Sequence, residues 1–327
     1  MNGIQKNKLT INLCTYFDKN YLSKFLVCKD SIIKNEENSK FYCLCLDQYS
    51  YEYLSGLSDD KIILISIKEI EDYFLELKEA KINREKIEYY FTLSPFLPLY
   101  IIKKFKVDII NYIDSDLFFF DSPRKLIKLL EQNSIMIIEH GIKEKKFGKF
   151  NVGWLTFRND QNSLKCLNDW GRDCVNWCYD YVEGDKYADQ KYLDKWPTNY
   201  KNVLILSYKY CVAPWNLNNH NIKIINNTIY VNNKRLIFFH FHGLWIFKYF
   251  FSTGFSKYNK KLSKIYINFL YKEYIDKLLK FEKIIKFSGT NIRNEKKNNN
   301  IKNKIIIFIK NLKKILKILI FFDFYKL

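Results

Sequence analysis

The 327-residue chain has no Cys-x-x-Cys pair, although it carries eight cysteines. Cys43 and Cys45 alternate along an expected strand, and Cys174 and Cys178 lie one helical turn apart. Such spacing fits buried, reduced thiols, and neither a zinc framework nor a secreted disulfide scaffold. Residues 9–25, around the first expected strand, contain no glycine. A nucleotidyltransferase on an α/β fold would carry a Gly-rich phosphate loop there, so that class is disfavoured. Met1 to Lys8 is polar and no apolar core follows it, so no secretory leader is expected and a cytoplasmic location is.

What the chain has in excess is positive charge, +19 in all, and it is unevenly placed. From Lys257 onward there are 19 Lys+Arg against 5 Asp+Glu; the 256 residues before it hold 35 against 30. The basic character belongs to the tail, and a nearly neutral main body argues against a nucleic-acid groove across it. With 48% hydrophobic and 18% aromatic residues, that body is long enough to bury a full core.

Residues 108–121 read DIINYIDSDLFFFD. The apolar run through Ile109, Ile110, Tyr112 and Ile113 fits a strand buried on both faces. Unpaired carboxylates are too costly inside such a strand, so Asp114 and Asp116 belong at its carboxyl end. Open α/β sheets bind ligands there. Two carboxylates one residue apart can reach one divalent cation, or one cation and a hydroxyl, and Mg²⁺ and Mn²⁺ both take oxygen ligands. A solvated loop with two acids is the plainer alternative.

The rest of the chain reads as strands at 9–15, 41–47 and 61–67, in β-α-β-β order with short connections. A polar loop covers 16–21 and a helix 22–34. Helices cover 68–106, broken at Ser94-Pro95 and at Pro98. Strands follow at 134–140 and 150–157, then a helix over 160–182, a short strand, and a hairpin and strand over 222–239. The polar stretch with Gly141 and Gly148 is a candidate mobile lid. Trp215 is either a platform for a sugar ring or packing beneath the sheet.

The Asp-x-Asp at 114–116 resembles that of GT-A glycosyltransferases. Phe150-Asn151-Val152-Gly153, Asp189-Gln190 and His240-Phe241-His242-Gly243 are similar, in order, to the Asn-x-Gly, Asp-Gln and His-x-x-Gly motifs of glycosyltransferase family 8 and related bacterial sugar-nucleotide transferases. The resemblance spans about residues 9–248. It implies an α/β GT-A fold, a Rossmann-like mixed sheet flanked by helices. It also implies a metal-dependent transferase moving a sugar from a nucleoside diphosphate sugar, a UDP-sugar first among them. Asp116 and His240 would hold Mn²⁺ or Mg²⁺, with Asp114 on the metal or the ribose and His242 in reserve. Asn151, Asp189 and Gln190 would be the catalytic and sugar-orienting residues. Thr15, Tyr16 and Asp18 would lie at the base and ribose, where Tyr16 either stacks on uracil or is an ordinary boundary aromatic. Gly153 would let the ligand approach the backbone, and Arg84 lies in a region that often supplies an arginine to the donor. The family's Lys-Pro-Trp after the last motif is absent, and Lys248 stands out of register. The resemblance leans toward retention of anomeric configuration; inversion would need a carboxylate base, for which Asp189 is the candidate.

The expected organisation is a catalytic domain over 1–250, a helical extension over 251–287, an Asn/Lys-rich linker over 288–303 and a basic amphipathic helix over 304–327. Ile305, Phe308, Ile309, Leu312, Ile315, Leu316 and Leu319 fall on one helical face, with lysines opposite. The lysines exclude an ordinary transmembrane span of ~20 apolar residues; a helix lying on an anionic membrane surface fits better, the alternative being a helix packed on the protein or on a partner. That suggests a saccharide or lipid-linked acceptor in surface-polysaccharide or lipopolysaccharide assembly, with the enzyme peripheral on the inner membrane face. The competing class is a non-catalytic basic protein binding membrane or nucleic acid.

Overall fold

The computed structural model describes residues 9–258, 263, 266–287, 316–318 and 323–327. Its central sheet has seven strands: β1 (Ile11–Phe17), β2 (Ser39–Cys45), β3 (Ile62–Ser66), β4 (Ile109–Ile113), β6 (Ile135–Glu139), β7 (Phe150–Arg158) and β8 (Val203–Leu206). They lie in the order β3-β2-β1-β4-β7-β6-β8. β1 is parallel to β2 and β4, whereas β7 runs antiparallel to both β4 and β6. This is the mixed α/β sheet flanked by helices that the resemblance implies. The chain leaves β1 toward β2 and later returns to β4 on its other side, so the order switches between β1 and β4. Their carboxyl ends open a crevice there.

Helices α1 (Leu22–Asn35) and α2 (Gln48–Gly56) follow β1 and β2. Sequence analysis placed nothing between β2 and β3. The signal for α2 is its first residue: Asp47 caps it by accepting the Ser50 N–H at 2.8 Å. β1 runs two residues further than expected, so Thr15 and Tyr16 lie within the strand and Asp18 is the first residue past it. Four helices, α3 (Ile67–Tyr73), α4 (Glu76–Ile82), α5 (Lys86–Thr92) and α6 (Phe96–Phe105), fill the interval before β4. Pro98 does not break α6; it sits in the first turn, where the missing N–H has no helical partner to lose. The short helix α7 (Arg124–Ile127) precedes β6, and α8 (Gln161–Asn176) follows β7, ending short of the expected 182. One core packs α3–α6 and α8 on one face of the sheet, through residues such as Phe96, Leu97 and Trp170. A second packs α1 and α2 on the other face, through Phe25, Ile32 and Leu54.

β5 (Leu117–Phe119) pairs antiparallel with β12 (Phe238–His240). β12 follows a three-stranded meander of β9 (Ile222–Ile225), β10 (Thr228–Val231) and β11 (Lys234–Arg235). The segment after 250 packs on the rest of the chain. Tyr271, Tyr274 and Leu278, from the π-helical turn Ile267–Tyr271 and the helix Lys272–Phe287, share a third core with Phe118, Phe239 and Phe241. The Phe241 and Tyr274 rings stack at 3.8 Å.

The linker and most of the expected amphipathic helix lie outside the described residues. Within the latter, 316–318 is helical, with Leu316 exposed and Ile318 buried. Its last part departs from expectation: Tyr325–Lys326 is a strand, paired with Phe250–Ser252. Among the described residues no helix is long and apolar enough to cross a membrane.

Candidate active site

The two acids sit where β4 gives way to a turn. The Asp114 N–H donates to the Gly153 carbonyl on β7 at 3.1 Å, and the Asp116 carbonyl accepts the Phe241 N–H at 2.9 Å. Because β5 and β12 pair with Leu117 opposite His240, the imidazole arrives beside the acids. His240 Nε2 lies 2.9 Å from Asp116 Oδ1 and 3.5 Å from Asp114 Oδ2. The three ligand atoms all lie within 4.8 Å of one another. Asp116 and His240 are buried, whereas the Asp114 side chain is 33% exposed, so the cluster opens on the Asp114 side.

Burial pushes both carboxyls up and the imidazole down, but the three groups answer one another. For Asp116 the His240 charge and hydrogen bond outweigh burial and hold it well below the usual carboxylate range. For Asp114 burial prevails over the attraction of His240, and its carboxyl rises to about 6. Against its own burial, His240 is pushed up to about 10, chiefly by the Asp116 charge. The opposite shifts of His240 and Asp116 balance one another as in an ion pair. A divalent cation would take over that balance and free Nε2 as a ligand, so two carboxylates and one imidazole fit a Mn²⁺ or Mg²⁺ site.

Gly153 makes room for the protein's own groups. A Cβ there would lie 2.7 Å from Asn151 Oδ1 and 3.0 Å from His240 Nδ1. Asn151 is buried, and its Oδ1 accepts the Gly153 N–H at 2.7 Å where β6 and β7 lose register. The amide therefore shapes the irregular strand beneath the histidine.

Asp189 is buried, and burial raises its carboxyl to about 7, with a hydrogen bond from Ser94 opposing and the Asp114 charge adding. Ser94 Oγ also lies 3.1 Å from the Tyr16 hydroxyl. Tyr112 donates to Asp114 Oδ1 at 3.2 Å, and its ring lies 5.8 Å from that of Tyr16. Tyr16, Ser94 and Tyr112 therefore connect Asp189 to Asp114. Ser94 and Tyr112 were not singled out as site residues: Ser94 reads only as a helix break and Tyr112 only as strand. Thr15 is buried, and its Oγ1 has no hydrogen-bond partner among the described residues. Asp18 folds back on its own turn, accepting from Asn20 N at 3.0 Å and pairing with Lys86 at 3.1 Å.

Three of the candidate residues bond within the protein. The Arg84 guanidinium donates to the Cys174 and Val175 carbonyls at the end of α8, to the Cys178 carbonyl just past it, and to Ala80 O and Asn83 Oδ1. All five of its N–H donors are accounted for. The Gln190 amide donates to the Phe147 carbonyl at 2.6 Å, and Lys149 N–H donates to Asp194 at 2.6 Å. The 141–149 stretch is thus tied to the turn after Asp189. His242 lies past the end of β12 and accepts from Lys257 at 2.6 Å. Trp215 is buried packing, its ring set between those of His140, His240 and His242 at 5.1–5.7 Å.

No protein-family model matches the chain. It is 27% identical over 244 residues to the uncharacterized protein YfnD of Bacillus subtilis (strain 168), covering 72% of this chain and 78% of that one. To the uncharacterized YfnF of the same strain it is 26% identical over 251 residues, covering 72% and 82%. Among solved structures it is similar to the glycosyltransferase GlyE in Streptococcus pneumoniae TIGR4, at a TM-score of 0.43 and 19% identity over 62% of this chain. The chain spans less than half of that protein, 46%. It is similar to the galactosyltransferase LgtC, in complex with donor and acceptor sugar analogs, at 0.43 and 16%, covering 62% and 76%. Mouse xyloside xylosyltransferase 1 resembles it at 0.46 and 14%, covering 63% and 88%.

Proposed function

We propose that the chain is a metal-dependent glycosyltransferase that moves a sugar from a nucleoside diphosphate sugar, foremost a UDP-sugar, to a saccharide or lipid-linked acceptor. The observation that carries this reading is the convergence of Asp114, Asp116 and His240 at the switch point of the sheet. The four ordered motifs support it. Asp114, Asp116 and His240 would hold Mn²⁺ or Mg²⁺, which when bound supplies Lewis-acid stabilisation to a leaving diphosphate. Thr15 offers a buried hydroxyl beside the crevice and Tyr16 a ring face for the base. Asp189, its carboxyl raised to about 7 and partnered by Ser94, would orient the donor sugar or take a proton from the acceptor hydroxyl. Retention is the favoured outcome on the family resemblance alone. The basic tail is proposed to rest on an anionic membrane surface at the inner face, beside lipid-linked acceptors of surface-polysaccharide assembly.

The test is release of nucleoside diphosphate across a panel of UDP-sugars with and without Mn²⁺, comparing wild type with Asp116→Ala. Metal-dependent turnover that falls at least ~10²-fold in the variant is expected, since the variant removes a buried ligand. Turnover indifferent to both metal and Asp116 would overturn the reading.

A further inference from the structure

The proposed donor sets a charge problem. Two carboxylates neutralise a divalent cation, so the charge of a bound diphosphate must be met by other cations. Lys248, the lysine near the His-x-x-Gly motif, is turned away; its ammonium lies 4.9 Å over the Tyr249 ring in an exposed stretch. Two other lysines face the cluster. Lys24 on α1 stacks its ammonium 3.7 Å over the Tyr21 ring; burial lowers its pKa, and the Asp116 charge opposes that shift. Lys257 arrives from beyond β12 and donates to His242 Nε2 at 2.6 Å. Lys257 is exposed, so its ammonium is open to a ligand.

Much local structure goes into placing Lys257. Gly243 and Gly254 both have positive φ, +79° and +89°. A Cβ on Gly254 would lie 2.5 Å from the His242 carbonyl, so only glycine lets these two backbones touch. Lys257 N–H donates to Gly254 O at 3.1 Å, which closes the turn that carries the lysine over the His242 ring. Buried Asp323 clasps the same loop, accepting from Thr253 N at 3.0 Å, Ser252 Oγ at 2.9 Å and Ser256 N at 3.1 Å. The His242 ring in turn lies 5.8 Å from that of His240. An ammonium has three donors and His242 takes one.

We infer that Lys257 is the cation that binds the diphosphate of the donor, in place of a lysine close behind the His-x-x-Gly motif, with Lys24 as a second positive neighbour. This rests on the nucleoside diphosphate reading above. Calorimetry on the full chain tests it, titrating Mn²⁺ alone and then UDP at saturating Mn²⁺, for wild type, Lys257→Gln and Lys257→Arg. All three are expected to bind Mn²⁺ alike. The glutamine variant should bind UDP about tenfold or more weakly, and arginine should recover most of the loss. Lys257→Met, of similar length and uncharged, repeats the test should the glutamine variant fail to fold. Wild-type UDP affinity in the uncharged variants overturns the assignment and leaves the donor reading intact. If wild type binds none of UDP, GDP, ADP and CDP with Mn²⁺, the donor reading falls and takes this assignment with it.

Discussion

Asp189 shows how a single buried group sets function against stability. Its folded-state carboxyl titrates at about 7, against roughly 3.9 for an unfolded aspartate. With the folded value raised, its contribution to stability is present below pH ~4 and is lost as pH rises through about 7. Asp189→Asn cannot ionise, so it should melt a few degrees above wild type at pH 8 and no higher at pH 4. Turnover should fall by at least ~10² in the same variant if the carboxylate handles a proton or the sugar. Scanning calorimetry at the two pH values decides the first point; identical shifts at both would contradict it. Asp114, Asp116 and His240 were legible in the sequence because each sits in a motif whose residue types bind cations. Ser94, Tyr112 and Lys257 were not, because serine, tyrosine and lysine are common everywhere and only their neighbours in space give them meaning.

Among the elements, α8 depends on a residue from another helix pair. Arg84, just past α4, supplies partners to the Cys174 and Val175 carbonyls, which lack them in the last turn of α8. Arg84→Ala should therefore cost roughly 1–3 kcal/mol of stability, read as a lower denaturant midpoint with unchanged slope. The donor KM should stay within about twofold, as no donor contact is lost. A KM raised tenfold in a protein of unchanged stability would return Arg84 to the donor site. The strands were legible from short apolar runs, β4 above all. α2 was missed because its tyrosine-rich stretch shows little helical apolar periodicity. β1 was cut short because Tyr16 and Phe17 lead into a polar turn without a break in hydrophobicity. Pro98 misled because a proline stops a helix only beyond its first turn.

For the whole molecule, local pattern gave the sheet and its helices, but the sequence holds no local sign that residues beyond 250 would join the core. Phe118, Phe241 and Tyr274 meet only because β5, β12 and the helix Lys272–Phe287 fold together. This bears on how the tail is tested. Deleting 304–327 would remove Asp323 and disturb the loop before Lys257, so the charges must be changed instead. Neutralising Lys310, Lys313, Lys314 and Lys317 to glutamine should release the protein from anionic vesicles, at ~1 kcal/mol per lysine. Flotation with anionic and with neutral vesicles checks it; equal binding to both, or no effect of the substitutions, would remove the membrane from the proposal.

The β5–β12 pairing has a consequence for how the protein comes into being. The carboxylates emerge from the ribosome long before the imidazole that completes their cluster, since more than a hundred residues separate Asp116 from His240. A nascent chain halted ahead of β12 would present an acid pair at the rim of a half-built sheet. On the proposed function, cation capture would mark the moment the distant strand arrives, and the ion's affinity would serve as a clock for the late, long-range step of folding.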